Sequence, residues 1–90
     1  MAFFVYFKFM FFVYILNSVN FDKYYIGQAN NVEERLLRHN SGYVSSTKPY
    51  RPWNLVIALN KESRSEAIIL ERKLKNLNRV RLQQFIEKYS

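Results

Sequence analysis

Cysteine is missing from all 90 residues; glycine and proline occur twice each and histidine once. Without cysteine there is no disulfide staple and no thiolate zinc site, and the composition fits a reducing compartment, so a cytoplasmic protein is expected. With His39 as the sole imidazole, any bound metal must be held mainly by carboxylate oxygen, which points to Mg²⁺ or Mn²⁺ over zinc. The scarcity of glycine and proline excludes a low-complexity or disordered chain. Acidic residues are also few: seven, against fourteen lysines and arginines, for a net charge of +7.

Aromatic residues are abundant instead. Eight Phe, seven Tyr and one Trp supply large buried areas to a chain of one small domain, whose core would otherwise be marginal. The positive charge is uneven. Residues 1–45 carry four basic and three acidic side chains, a net +1, and residues 46–90 carry ten and four, a net +6. A basic half of this kind favours a polyanionic partner, nucleic acid before membrane, over charge that merely keeps the protein in solution. The first sixteen residues are nearly all apolar, broken by Lys8. That falls short of the about 20 residues a membrane span needs, and it lacks the basic start and small-residue cleavage site of a signal peptide. Phe3-Phe4-Val5-Tyr6 recurs as Phe11-Phe12-Val13-Tyr14, with Met10 just before the second copy. Residues 1–9 are therefore expected to be an accessory strand or a non-native extension preceding a domain at 10–90.

Residues 11–16 are β-branched and aromatic and predict a strand; residues 23–27 predict a second, with turn residues between them. A symmetric hairpin would set Leu16 opposite Lys23 and Tyr14 opposite Tyr25, on one face. Asn31 is an N-cap with Glu34 at the capping-box position, and the helix runs to Asn40, with Gly42 as its stop. Arg35 and His39, four apart, share one side of that helix; by themselves they would read as a solvated face. After a polar loop, residues 53–59 are apolar at alternate and intervening positions, which predicts a strand covered on both sides. Ser63 and Glu66 open a helix with Ala67, Leu70, Leu74 and Leu77 as its core stripe and Glu71 at the margin. Leu82, Phe85, Ile86 and Tyr89 mark a last short amphipathic helix. The order ββαβαα describes an α+β domain.

Val13-Tyr14 and Tyr25-Ile26-Gly27, then Asn30-Asn31 with Arg35 and His39, then Pro52-Trp53-Asn54-Leu55-Val56, then Ser63-Arg64-Ser65-Glu66-Ala67 leading to Glu71, make an ordered set. In it the chain resembles the GIY-YIG endonuclease superfamily, most of all its short stand-alone bacterial members. Each piece alone is weak; the order and spacing over about residues 11–77 are specific. The resemblance implies a small three-stranded antiparallel sheet flanked by three helices, and one divalent metal held by a glutamate. It carries catalytic positions onto Tyr14, Tyr25, Arg35 and His39, and the metal position onto Glu71. Phe12 stands where the name motif has its first glycine. Many members have a later asparagine, for which Asn76 and Asn78 are the candidates here.

The chemistry of phosphodiester hydrolysis asks for the same residue types: an activated water, a cation for the charge that builds on phosphorus, and help for the departing oxygen. Glu71 can hold Mg²⁺ or Mn²⁺, and the guanidinium of Arg35 can neutralise phosphoryl oxygens. A tyrosine near its ordinary pKa of about 10 is a poor base, so Tyr14 must be tuned by metal, Arg35 or Tyr25. His39 can shuttle a proton or hydrogen-bond the phosphate. The seven acids do not cluster as two metals would require. Outside this setting Tyr14 and Tyr25 would be ordinary strand aromatics, and Glu71 would pair with Lys75 one turn away. Lys48, Arg51, Arg72 and Lys75 are expected to contact DNA phosphates, though each alone would be surface charge; Trp53 is expected in the core. The expectation is a one-metal DNA endonuclease with no membrane attachment and no organic cofactor. The rivals are a non-catalytic nucleic-acid-binding module of the same fold and a peripheral membrane or oligomeric protein built on the apolar N-terminus.

Overall fold

In the computed structural model, which describes residues 10–90, the aromatic and β-branched run forms β1 (Phe11–Ser18). β2 (Lys23–Ala29) and β3 (Asn54–Lys61) flank it on either side, both antiparallel, in the order β2-β1-β3. The expectation for residues 1–9 lies outside the described residues.

The central strand is the one covered on both faces: Val13, Tyr14, Ile15 and Leu16 are at most 1% exposed. On one face Val13, Ile15, Ile26 and Ile57 pack under Ala67, Leu74 and Leu82 of the helices α2 (Arg64–Lys75) and α3 (Arg79–Tyr89). On the other, Tyr14, Leu16 and Trp53 pack with Tyr25, Val32 and Leu36, the last two from α1 (Val32–Asn40). The result is a three-stranded antiparallel sheet flanked by three helices. No helix among the described residues is long and apolar enough to cross a membrane.

The hairpin differs from the symmetric expectation. Tyr14 pairs with Gly27, and Leu16 with Tyr25, because β1 continues to Ser18 opposite Lys23 and leaves a loop of residues 19–22. Asn17 and Ser18 join the strand because their polar groups find partners: the fully buried Ser18 hydroxyl donates to the Tyr50 carbonyl at 2.7 Å, and the Asn17 amide to the Lys23 carbonyl at 3.4 Å. A shift of two residues leaves each side chain on its own face. Tyr14 and Tyr25 therefore remain neighbours, diagonally, with ring centroids 6.2 Å apart.

β3 also departs from expectation. It is an edge strand covered on one side; Leu55 is 42% exposed and Ala58 is exposed. Its continuous apolar run comes from a bulge: between the pairs Ile15–Ile57 and Leu16–Leu55 lies one extra residue, Val56, which packs on the core of the opposite face.

The caps follow the sequence closely. Asn31 accepts from the Glu34 N–H at 3.0 Å, and Ser63 from that of Glu66 at 3.1 Å. α1 ends as Gly42 N–H donates to the His39 carbonyl and Tyr43 N–H to that of Arg38, at 3.2 and 3.1 Å. This Schellman turn needs the φ of +83° that Gly42 adopts. α3 starts on Asn78, whose side chain accepts from Arg81 N–H. Its Arg79 forms an ion pair with Asp22, tying the last helix to the hairpin loop.

Candidate active site

Alternation along β2 divides its residues between the layers: Tyr25 and Gly27 face α1, Ile26 and Gln28 face α2. Across Gly27 lies the Tyr14 phenol, so close that a Cβ at Gly27 would sit 2.7 Å from the hydroxyl oxygen and 2.8 Å from Cζ. Only glycine leaves the phenol its place.

The Tyr14 hydroxyl meets His39 Nε2 at 2.9 Å, and His39 Nδ1 meets the Thr47 hydroxyl at 2.8 Å. All three side chains are 1% exposed. Tyr25 completes the cluster, its ring centroid 4.7 Å from that of His39 and 6.3 Å from that of Trp53. His39 is thus buried, contrary to the solvated helix face that its spacing alone describes. With both nitrogens engaged, it presents none to a phosphate. Burial pushes the Tyr14 phenol well above its ordinary range, and Tyr25 and Glu71 add to the rise; Arg35 alone pulls it down. Burial, then Arg35 and Arg38, depress the imidazole below its usual pKa. A protonated phenol and a neutral imidazole are the stable pair. The tuning expected of Tyr25 runs the other way: it disfavours the phenolate.

A second group gathers on the α2 side. Gln28 Nε2 donates to Glu71 Oε1 at 2.5 Å, and Lys75 Nζ lies 2.6 Å from Glu71 Oε2. The i, i+4 pair read from the sequence is present. The half-buried carboxylate still acts electrostatically on Tyr14. Gln28 also lines a cleft of about 220 Å³ with Phe11, Ala29, Asn30, Arg35 and Arg64, so two arginines lie at the wall of one hollow. Arg64 rides over the Phe11 ring, 5.9 Å from its centroid, and Arg35 is exposed.

Lys48 and Arg51 lie elsewhere, in a shallow cleft with Asn40, Pro49 and Pro52, where Arg51 Nε donates to the Lys48 carbonyl at 2.9 Å. Arg72 is exposed on α2 beside Glu71. Trp53 is core, 3% exposed, and its Nε1–H donates to the Thr47 carbonyl at 2.9 Å. Asn76 and Asn78 serve as helix caps.

The GIY-YIG catalytic domain model matches residues 10–84. The chain belongs to the GIY-YIG family. Its structure is similar to the solution NMR structure of the UPF0213 protein BH0048 from Bacillus halodurans, with a TM-score of 0.58 and 29% identity, over 87% of this chain and 83% of that one. Among curated proteins none matches. Three polar residues of this GIY-YIG site, Gln28, Thr47 and Arg64, were not among the site residues expected from sequence. The period-two pattern of β2 could have put Gln28 on the Glu71 side, whereas nothing in the run Ser45-Ser46-Thr47 distinguishes the threonine that turns inward.

The donor set fits a hard divalent ion. No group of three or more His, Asp or Glu among the described residues could hold a metal by itself. Mg²⁺ and Mn²⁺ need less: one or two carboxylates, with water and phosphate oxygens completing the shell. Glu71 would supply one, and it already attracts a cation, the Lys75 ammonium, on a side chain that is 54% exposed.

Proposed function

We propose that this GIY-YIG domain is a metal-dependent endonuclease that hydrolyses DNA phosphodiester bonds by a one-metal mechanism in the cytoplasm. The observation that carries the reading is the buried Tyr14–His39 hydrogen bond, whose phenol feels both the Arg35 guanidinium and the Glu71 carboxylate. A phenol with a raised pKa cannot hold a full negative charge, so it works by handing its proton on. The attacking water gives a proton to the Tyr14 oxygen as the phenol's own proton crosses its 2.9 Å hydrogen bond to His39 Nε2. The water oxygen bonds to phosphorus, and the ester bond breaks with its electron pair on the departing oxygen. The imidazole, neutral beforehand, becomes the imidazolium.

Arg35 and Arg64 line the same cleft and neutralise phosphoryl oxygens. Tyr25 is the half-buried wall of the cluster and orders the phenol and imidazole rings. Glu71, steadied by Gln28, would hold Mg²⁺ or Mn²⁺, and a bound ion supplies Lewis acidity toward a phosphoryl oxygen. Lys48, Arg51, Arg72 and Lys75 extend the positive surface toward neighbouring DNA phosphates.

Incubation with plasmid and branched DNA in Mg²⁺ or Mn²⁺ tests the reading. Metal-dependent cutting is expected, with Glu71→Gln and Arg35→Ala each lowering it by roughly 10²- to 10³-fold, the usual loss for a group that stabilises transition-state charge. Salt-sensitive binding with no product would instead mark a nucleic-acid-binding module of the same fold. Cutting that persists unchanged in both variants would remove these residues from the mechanism.

A further inference from the structure

We infer that Thr47 is a positioning residue: its hydroxyl holds His39 in the tautomer protonated on Nδ1, which leaves Nε2 bare toward the Tyr14 phenol. The consequence for catalysis rests on the function proposed above; the tautomer itself does not.

A neutral imidazole carries one proton and can place it on either nitrogen. Bulk water cannot decide which, because Tyr14, His39 and Thr47 are each 1% exposed. The neighbours decide it. The Thr47 hydroxyl has one proton and two partners within reach, His39 Nδ1 at 2.8 Å and the Val44 carbonyl at 3.3 Å. A carbonyl can only accept. When Thr47 donates to Val44, its lone pair is free to receive Nδ1–H, Nε2 is bare, and the phenol donates to Nε2 at 2.9 Å. Every proton in the chain Tyr14–His39–Thr47–Val44 then has an acceptor.

The opposite tautomer breaks this chain at its outer end. Nε2–H would donate to the phenol oxygen, and the phenol's own proton would need another acceptor. Among the described residues the Tyr14 hydroxyl makes no other hydrogen bond. No protein group among them would then take the phenol's proton. That tautomer would also be the wrong arrangement for chemistry, because a protonated Nε2 cannot take the phenol's proton.

Thr47 is held firmly enough to impose this choice. Its carbonyl receives Trp53 Nε1–H at 2.9 Å and Tyr50 N–H at 3.0 Å, and its own N–H donates to Val44 at 3.1 Å. Trp53 is fixed in turn by Asn40, whose amide group donates to the Trp53 carbonyl at 3.0 Å and accepts its N–H at 2.7 Å. One residue of α1 thus anchors the loop that orients another, His39.

His39 is the only histidine, so the long-range ¹H–¹⁵N correlations of its ring need no assignment. In the wild-type protein, labelled with ¹⁵N at neutral pH, Nδ1 is expected to resonate as protonated and Nε2 as bare. The reverse pattern overturns the inference outright, whether or not the variants fold. Thr47→Val keeps the shape but offers Nδ1–H no acceptor. The two tautomers are then expected to mix, and Thr47→Ser to restore the single form. A valine variant with an unchanged spectrum would also overturn it. In the cutting assay Thr47→Val is expected to lower kcat by roughly 10²-fold, the smaller contributions of a positioned base, with KM unchanged and serine restoring it. A wild type with the Nδ1–H tautomer that cuts no DNA would leave this inference standing and remove the nuclease reading alone.

Discussion

At Gly27 the neighbouring phenol tolerates a hydrogen and nothing larger. A Cβ there would meet Tyr14 at 2.7 Å from the hydroxyl oxygen and Tyr25 at 3.0 Å from Cε2. Neither ring can withdraw without disturbing His39 or Trp53. Gly27→Ala is therefore expected to destabilise the fold by about 1–3 kcal/mol, the usual range for an overpacked site, read as a lower urea midpoint at constant slope. An unchanged midpoint would mean that the rings yield without cost. Spacing could align Tyr14, Tyr25, Arg35, His39 and Glu71 in order along the chain. It could not reveal that His39 is buried, because burial here is made by a loop eight residues away that returns Thr47 to the ring. Nor could it reveal that Glu71 is shared between Gln28 and Lys75, since one of those partners lies 43 residues distant.

The helix ends were legible because capping is a local transaction between residues two to five apart, as at Asn31, Gly42 and Ser63. Strand pairing is not local. The hairpin register depends on the Tyr50 carbonyl that receives Ser18, and the one-sided covering of β3 depends on a bulge whose cause is its pairing with β1. The same distinction bears on the late asparagine common in this family. Asn78 accepts from Arg81 N–H at 2.9 Å and is the N-cap of α3. Asn78→Ala is expected to cost about 1 kcal/mol of stability, as lost caps do, while the folded variant cuts DNA at the wild-type rate. A variant that stays folded yet loses cleavage would transfer Asn78 from capping to the chemistry.

For the molecule as a whole, a net charge of +7 makes long-range attraction to a polyanion the first event in binding. Phosphate contacts release counterions, so affinity should fall steeply with salt, with a log–log slope of about −0.7 to −0.9 for each contact. Arg64 lines the cleft with Arg35 and makes no ion pair among the described residues. Arg64→Gln is expected to reduce that slope by about one across DNA sequences of any composition. A slope identical to that of the wild type would show that the strand passes elsewhere.

The chain has a single tryptophan, and it is buried against the residues on which catalysis is proposed to depend, its indole bonded to the Thr47 carbonyl and its ring beside Tyr25. The protein accordingly carries its own optical probe. Indole emission excited apart from the tyrosines will register any rearrangement of the loop around Thr47, so that docking of a strand or loading of an ion can be timed in a stopped-flow mixer without attaching a dye.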